Sequence, residues 1–138
     1  MASNRSRIGI IIISLLVTLV ASSGNKREQH IHNKQMCSKV LRTPAEDLER
    51  YNRSEYPENH DTACFMRCTA ILNGAYDDET GVNMDVVYGT YGALLTAEEY
   101  TEESEPCLAL RDGVECYCMK AYKPLMCLRQ QFKKRNAI

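Results

Sequence analysis

The segment Cys64-Phe65-Met66-Arg67-Cys68 decides the fold, because it places two cysteines one helical turn apart. From about residue 58 to residue 73 the apolar side chains recur at steps of three and four, which is typical of an amphipathic helix. Asn73-Gly74 then predicts its end. On such a helix both thiols lie on one side and face neighbouring helices, so one helix can be tied to two others.

The chain of 138 residues contains seven cysteines: Cys37, Cys64, Cys68, Cys107, Cys116, Cys118 and Cys127. An exported chain of this size with so many thiols is expected to carry a disulfide framework. Cys118 and Cys127 fall on opposite sides of the last predicted helix, so they bond different partners. Sequence spacing does not select one connectivity, and an odd number leaves at least one thiol free or paired with another molecule.

Residues 1–23 have the pattern of a signal peptide. Two arginines precede the apolar run Ile8 to Val20, and small residues follow it. The run is too short to span a bilayer, which takes about 20 residues. We therefore expect one exported domain, residues 24–138, with no membrane insertion after cleavage.

Composition and spacing exclude several classes of function. The formal charge of the chain is -1, and basic residues are concentrated only at 133–135, so nucleic acid is not an expected partner. His30, His32 and His60 match no catalytic or zinc motif, and the acidic run at 98–105 is typical of a solvated helix face. We expect no catalytic residue, no metal site and no cofactor.

Two minor features remain as sequence expectations. His30 and His32 are expected to be a solvated pair near a chain end, with a pH sensor as the alternative. The triplet Asn52-Arg53-Ser54 makes Asn52 a candidate glycosylation site.

Turn signals divide the chain into five or six helices, and strand patterns are nearly absent, so the predicted fold class is all-α. Capping boxes are expected at Thr43 and Thr96, and a further helix start at Asp112. The first helix is expected to bury the stripe Met36, Cys37, Val40 and Leu41. A later stripe, weakened by two glycines, comprises Met84, Val87, Tyr88, Tyr91, Leu94 and Leu95.

The cysteine spacing resembles that of a known family. With Cys116 set aside, the intervals of 26, 3, 38, 10 and 8 residues are similar to the six-cysteine signature of the insect odorant-binding proteins, both pheromone and general. The segment Tyr56-Pro57-Glu58-Asn59-His60 and the acidic turn ending in Gly81 also resemble that family. The resemblance implies the disulfides Cys37–Cys68, Cys64–Cys118 and Cys107–Cys127. It leaves Cys116 as a free thiol or, alternatively, an intermolecular one.

The same resemblance implies a compact helical bundle, cross-linked by three disulfides around an apolar cavity. It would carry a small hydrophobic or volatile ligand, such as an odorant or a pheromone, through extracellular fluid to a sensory receptor. The alternative is a secreted protein-interaction, glandular or defence factor on the same scaffold, without a small-molecule ligand. A monomer and a dimer are both compatible with the sequence.

Candidate ligand-binding residues come from the apolar stripes of the predicted helices. Tyrosine hydroxyls among them are candidates to orient a polar group of the ligand, and Phe132 and Ile138 are expected to cover the cavity mouth. The candidates are Phe65, Ile71, Leu72, Val87, Tyr88, Tyr91, Leu94, Ala121, Tyr122, Leu125 and Phe132.

Overall fold

The computed structural model describes residues 24–137, so the predicted signal peptide at 1–23 and Ile138 lie outside the described residues. Within this part the chain forms a bundle of six helices, which confirms the predicted all-α class. Residues 24–41 are helical and are called α1. The other helices are α2 Ala45–Asn52, α3 His60–Leu72, α4 Met84–Tyr91, α5 Ala97–Leu108 and α6 Tyr117–Asn136.

Two short elements complete the architecture. A single 3-10 turn, Ala109–Arg111, follows α5. Between α3 and α4 the strands β1 Tyr76–Asp77 and β2 Gly81–Val82 form a small antiparallel hairpin, in which Tyr76 pairs with Val82. No helix in the described part of the chain is long and apolar enough to cross a membrane.

Local sequence explains where α3 and α5 begin and end. The side chain of Asn59 caps α3 by accepting a hydrogen bond from the backbone N–H of Thr62 at 2.8 Å. Gly74, at a φ of 70°, takes the left-handed conformation that ends the helix. The capping box predicted at Thr96 is confirmed, because both of its reciprocal hydrogen bonds to Glu99 are present.

One predicted helix cap and one predicted helix start are wrong. Helix α2 begins one residue later than expected, after Pro44, and has no side-chain cap, so Thr43 lies too early to cap it. Helix α6 begins at Tyr117 rather than at Asp112, because Asp112 and Gly113 form a turn with φ at 71° on the glycine.

One predicted apolar stripe is wrong, and a second, whose other five residues pack in the core, fails only at Leu94. On α1 only Cys37 of the stripe is buried, because its disulfide holds it against α3, whereas Met36 and Leu41 are exposed and Val40 is 73% exposed. Leu94 is 66% exposed because α4 has already ended at Tyr91.

Three disulfides join the helices around α3 and α6. Cys37–Cys68 ties α1 to α3, Cys64–Cys118 ties α3 to α6, and Cys107–Cys127 ties α5 to α6. These are the pairs that the family resemblance implies. Cys116 forms no disulfide within residues 24–137. Helices α1, α3, α5 and α6 thus form one covalently linked set, independently of how well their side chains fill the interior.

Candidate ligand-binding cavity

A cavity of about 420 Å³ lies between α1, α3, α4 and α6. This volume falls in the range of about 300 to 1,000 Å³ that is usual for small-molecule sites. It is lined by His30, Lys34, Tyr56, Met66, Thr69, Ala70, Asn73, Ala75, Val86, Val87, Thr90, Tyr91, Leu125 and Arg129.

Most of the cavity wall is apolar. Met66 and Ala70 of α3, Val87 of α4 and Leu125 of α6 face the space from three helices. The small side chain of Ala70 leaves room where a larger residue would fill it, so the cavity follows from residue size at the helix faces.

The aromatic wall involves the end of α6. The ring of Tyr91 lies against that of Phe132, with 4.9 Å between the centroids. Helix α6 continues to Asn136, and its end is held to α5 by a hydrogen bond from Arg135 Nη2 to Glu103 Oε2 at 2.8 Å. Phe132 therefore supports the cavity wall as part of a helix, whereas Ile138, the other expected lid residue, lies outside the described residues.

Three of the candidate binding residues line this cavity: Val87, Tyr91 and Leu125. Others lie behind it. Ala121 is fully buried in the core, the Tyr88 hydroxyl donates to the carbonyl oxygen of Leu95 at 2.9 Å, and the Tyr122 hydroxyl donates to that of Tyr56 at 2.8 Å. Of the three tyrosines considered for orienting a ligand, Tyr91 alone lies in the cavity lining.

The remaining candidates lie elsewhere. Phe65 is 1% exposed and lines a separate depression of about 310 Å³ between α1 and α2. Leu72 lines an outer groove between α1 and α4, and Ile71 and Leu94 are exposed and absent from the lining of the central cavity. Ile71 does not reach the cavity because Met66, Thr69 and Ala70 occupy the face of α3 that lines it, and Ile71 lies on the outer side of the helix.

Sequence reasoning missed the polar part of the cavity, which α1 contributes. Asn33 is 4% exposed, and its amide donates to the carbonyl oxygen of Leu72 at 3.2 Å and to Asn73 Oδ1 at 2.8 Å. These bonds fix α1 against the end of α3 and bring His30 and Lys34, on neighbouring turns, to the cavity. The available signal was Asn33 itself, one turn before Cys37 on the same helix face.

His30 and His32 are both exposed, as expected of a solvated pair, and His30 in addition lies at the cavity edge. Its Nδ1 is 3.0 Å from the side-chain nitrogen of Asn73, and burial, followed by the positive charge of Lys34, lowers the pKa of His30. The neutral imidazole is therefore the favoured form at neutral pH.

Arg129 and Lys34 bring positive charge to the same cavity. Burial, followed by the positive charge of Arg129, lowers the pKa of Lys34. The guanidinium carbon of Arg129 lies 5.1 Å from the ring centroid of Tyr56, as in a cation–π contact. One end of a mainly apolar cavity is therefore basic.

A cluster of metal-ligand residue types occurs at the start of α3. His60 Nε2 is 3.6 Å from Cys64 Sγ, and Cys118 is close by. Cys64 and Cys118 are bonded to each other, and a metal requires the thiolate form of cysteine. The residues present therefore do not fit a metal site.

Comparison with known proteins finds consistent similarity. A model of the PBP/GOBP family matches residues 22–131. General odorant-binding protein 99a of Drosophila melanogaster is 25% identical over 80 residues, and the match spans 56% of this chain and 56% of that relative. The chain therefore aligns with little more than half the length of this curated relative.

Solved structures from Anopheles gambiae extend the similarity to the fold. A crystal structure of odorant-binding protein 22a is 26% identical, with a TM-score of 0.66, and the match covers 74% of this chain and 98% of that chain. A structure of the same mosquito protein with bound cyclohexanone has the same identity and TM-score, and the match covers 74% of this chain and 90% of that one.

Proposed function

Because the chain belongs to the PBP/GOBP family, we propose that it is a non-enzymatic carrier of small hydrophobic or volatile molecules. The observation that carries the proposal is the cavity of about 420 Å³ between α1, α3, α4 and α6. Its walls are mainly apolar, and one solved structure of a similar protein holds cyclohexanone. Odorants, pheromones and similar lipophilic compounds are the ligands that such a cavity suits.

The energetics of this cavity are compatible with a reversible carrier. Burying about 300 Å² of ligand surface at roughly 25 cal/mol per Å² gives about 7 kcal/mol before the costs of association. The gross value alone corresponds to a dissociation constant of about 10 μM. Because the costs of association reduce it, we expect dissociation constants of about 10 μM or more, which allow both uptake and release.

We also propose that the mature protein, residues 24–138, is secreted. The signal-peptide pattern at 1–23 and the three disulfides support this location, since disulfides persist in oxidising compartments. In extracellular fluid the carrier would deliver its ligand to a sensory receptor. The candidate glycosylation site Asn52 is exposed at the end of α2, as such a modification requires.

The full chain, expressed in insect cells, tests both parts of the proposal. We expect the protein in the medium without residues 1–23, and we expect it to bind the neutral dye N-phenylnaphthylamine with micromolar affinity. Cyclohexanone and other apolar compounds should displace the dye. Retention in the cell would contradict secretion, and a lack of dye binding would contradict the carrier function.

A secreted protein-interaction factor is the second candidate function. Exposed apolar side chains on α1, namely Ile31, Met36, Val40 and Leu41, favour it because such groups commonly contact partners. This function predicts a folded, exported protein that does not bind the dye, so the same experiment separates the two candidates.

A further inference from the structure

The basic end of the cavity has no counter-charge in the described structure. Across residues 24–137, no aspartate or glutamate lines the cavity, and no ion pair involves Lys34 or Arg129. The Nε of Arg129 is buried and lacks a hydrogen-bond partner among these residues. A guanidinium N–H in this situation is costly, because it has lost its water without gaining an acceptor.

The positive groups approach this end from different helices. Lys34 comes from α1 and Arg129 from α6, and they are near enough for the charge of Arg129 to lower the pKa of Lys34. Like charges held together at the edge of an apolar space repel each other, whereas a bound anion would interact favourably with both.

We propose that the ligand of this cavity is an amphiphilic carboxylic acid of the fatty-acid type, whose carboxylate is bound by Arg129 and Lys34. This inference rests on the carrier function proposed above and narrows its ligand class. The hydrocarbon chain lies along the apolar wall formed by Met66, Val87 and Leu125. Arg129 supplies the planar donor set that fits a carboxylate, and Lys34 supplies a second charge.

Other cavity groups fit the same ligand. His30 is favoured as the neutral imidazole and can donate an N–H without adding a third charge. Thr69 already donates its hydroxyl to the carbonyl oxygens of Phe65 and Met66 within its own helix, so it does not compete for the carboxylate as a donor. The recognition of the anion therefore depends mainly on the two cations.

The test compares decanoic acid with decanol, two ligands that share a chain length and differ in the head group. Each is titrated against N-phenylnaphthylamine bound to the purified secreted protein, at neutral pH, where the acid is ionised. We expect the acid to bind about tenfold or more tightly than the alcohol, because charge-assisted hydrogen bonds are stronger than neutral ones.

Matched variants assign the effect to the cavity cations. In Arg129→Gln the affinity for decanoic acid should fall about tenfold and in Lys34→Gln by a smaller factor, while decanol binds as before. Lys133→Gln on α6 and Lys39→Gln on α1 remove exposed charges on the same helices and should change neither affinity. Far-UV circular dichroism shows separately that each variant is folded, and only folded variants are compared.

The results that would overturn the carboxylate proposal differ from those that would overturn the carrier function. Equal binding of acid and alcohol, or an equal loss of both in Arg129→Gln, would overturn the carboxylate proposal and leave the carrier function standing. Failure of the wild-type protein to bind the dye, the acid or the alcohol would overturn both.

Discussion

The two halves of α3 border regions of different packing: aromatic rings stack against the first half, and a cavity lies beside the second. In the first half, Phe65 stacks on Tyr51 with 4.5 Å between ring centroids, and Tyr51 stacks on Tyr56 at 5.5 Å. We call these three rings the aromatic cluster. In the second half, Thr69 and Ala70 face the cavity of about 420 Å³. One helix thus borders both a cluster of stacked rings, whose outer side faces the depression of about 310 Å³, and the larger cavity.

Packing and covalent linkage stabilise different parts of this fold. Two of the three disulfides originate on α3, at Cys64 and Cys68, and hold α6 and α1 against it. A disulfide lowers the entropy of the unfolded chain, and for loops of this length this raises the free energy of unfolding by about 3 to 4 kcal/mol. The aromatic cluster adds packing at one end, so the space beside Ala70 can stay open in a folded protein.

The largest expected effect comes from removing a ring of the aromatic cluster. Phe65→Ala should lower the free energy of unfolding by about 3 to 5 kcal/mol, because it leaves a cavity in a filled region. Val86→Ala, in the partly exposed cavity wall, should cost less than about 1 kcal/mol. Urea unfolding with the disulfides intact measures both. Equal losses would mean that the two regions are packed alike.

Larger side chains at the two ends of α3 test the same difference in packing by adding volume instead of removing it. Ala63 is fully buried at the filled end of α3, and Ala70, two turns later, lines the cavity. Ala63→Leu should cost about 1 to 3 kcal/mol through overpacking, whereas Ala70→Leu should change stability by less than about 1 kcal/mol. Thermal or urea unfolding of the two variants gives the answer, and a larger loss in Ala70→Leu would contradict an open space there.

A smaller effect is expected at the hairpin that follows α3. The hydrogen bond from Arg67 Nε to Asp78 Oδ1, at 2.8 Å, is the main reason that the pKa of Asp78 lies below its usual value. Asp78→Asn should therefore cost about 1 kcal/mol or less at neutral pH, since the pair is partly exposed.

The same variant predicts a pH dependence. The pKa of Asp78 is lower in the folded protein than in the unfolded chain. The ionised carboxylate therefore contributes fully to the free energy of unfolding above the unfolded-state pKa of about 4, and this contribution is lost as the pH falls through the folded-state pKa. The stability difference between wild type and Asp78→Asn should thus shrink in acid. A difference that stays constant to pH values below about 2 would exclude this linkage.

The fold followed from sequence features that act locally. The apolar periodicity of α3, the terminator Asn73-Gly74 and the capping box at Thr96 predicted helices that the structure contains. The spacing of the cysteines resembled a family, and this resemblance implied the three pairs. The capping box at Thr43 was wrong because α2 begins after Pro44, one residue later than that cap requires, a shift that composition does not reveal.

The cavity was harder to predict, because its lining depends on how helices rotate against one another. An apolar stripe indicates which face is buried but not whether the facing side chains meet, so Val87 and Leu125 could not be distinguished from core residues such as Ala121. Lys34 and Arg129 were missed because a charged residue on a helix is usually solvated. Their position at the cavity follows only from the packing of α1 and α6 on either side of one space.

The dissociation constant of N-phenylnaphthylamine for Ala70→Leu shows whether the ligand binds in the cavity beside α3. Leucine at this position occupies the space that the ligand needs, so we predict at least about tenfold weaker binding than in wild type, with the fold retained. A folded Ala70→Leu protein that binds the dye with wild-type affinity would contradict the assignment of this cavity as the binding site.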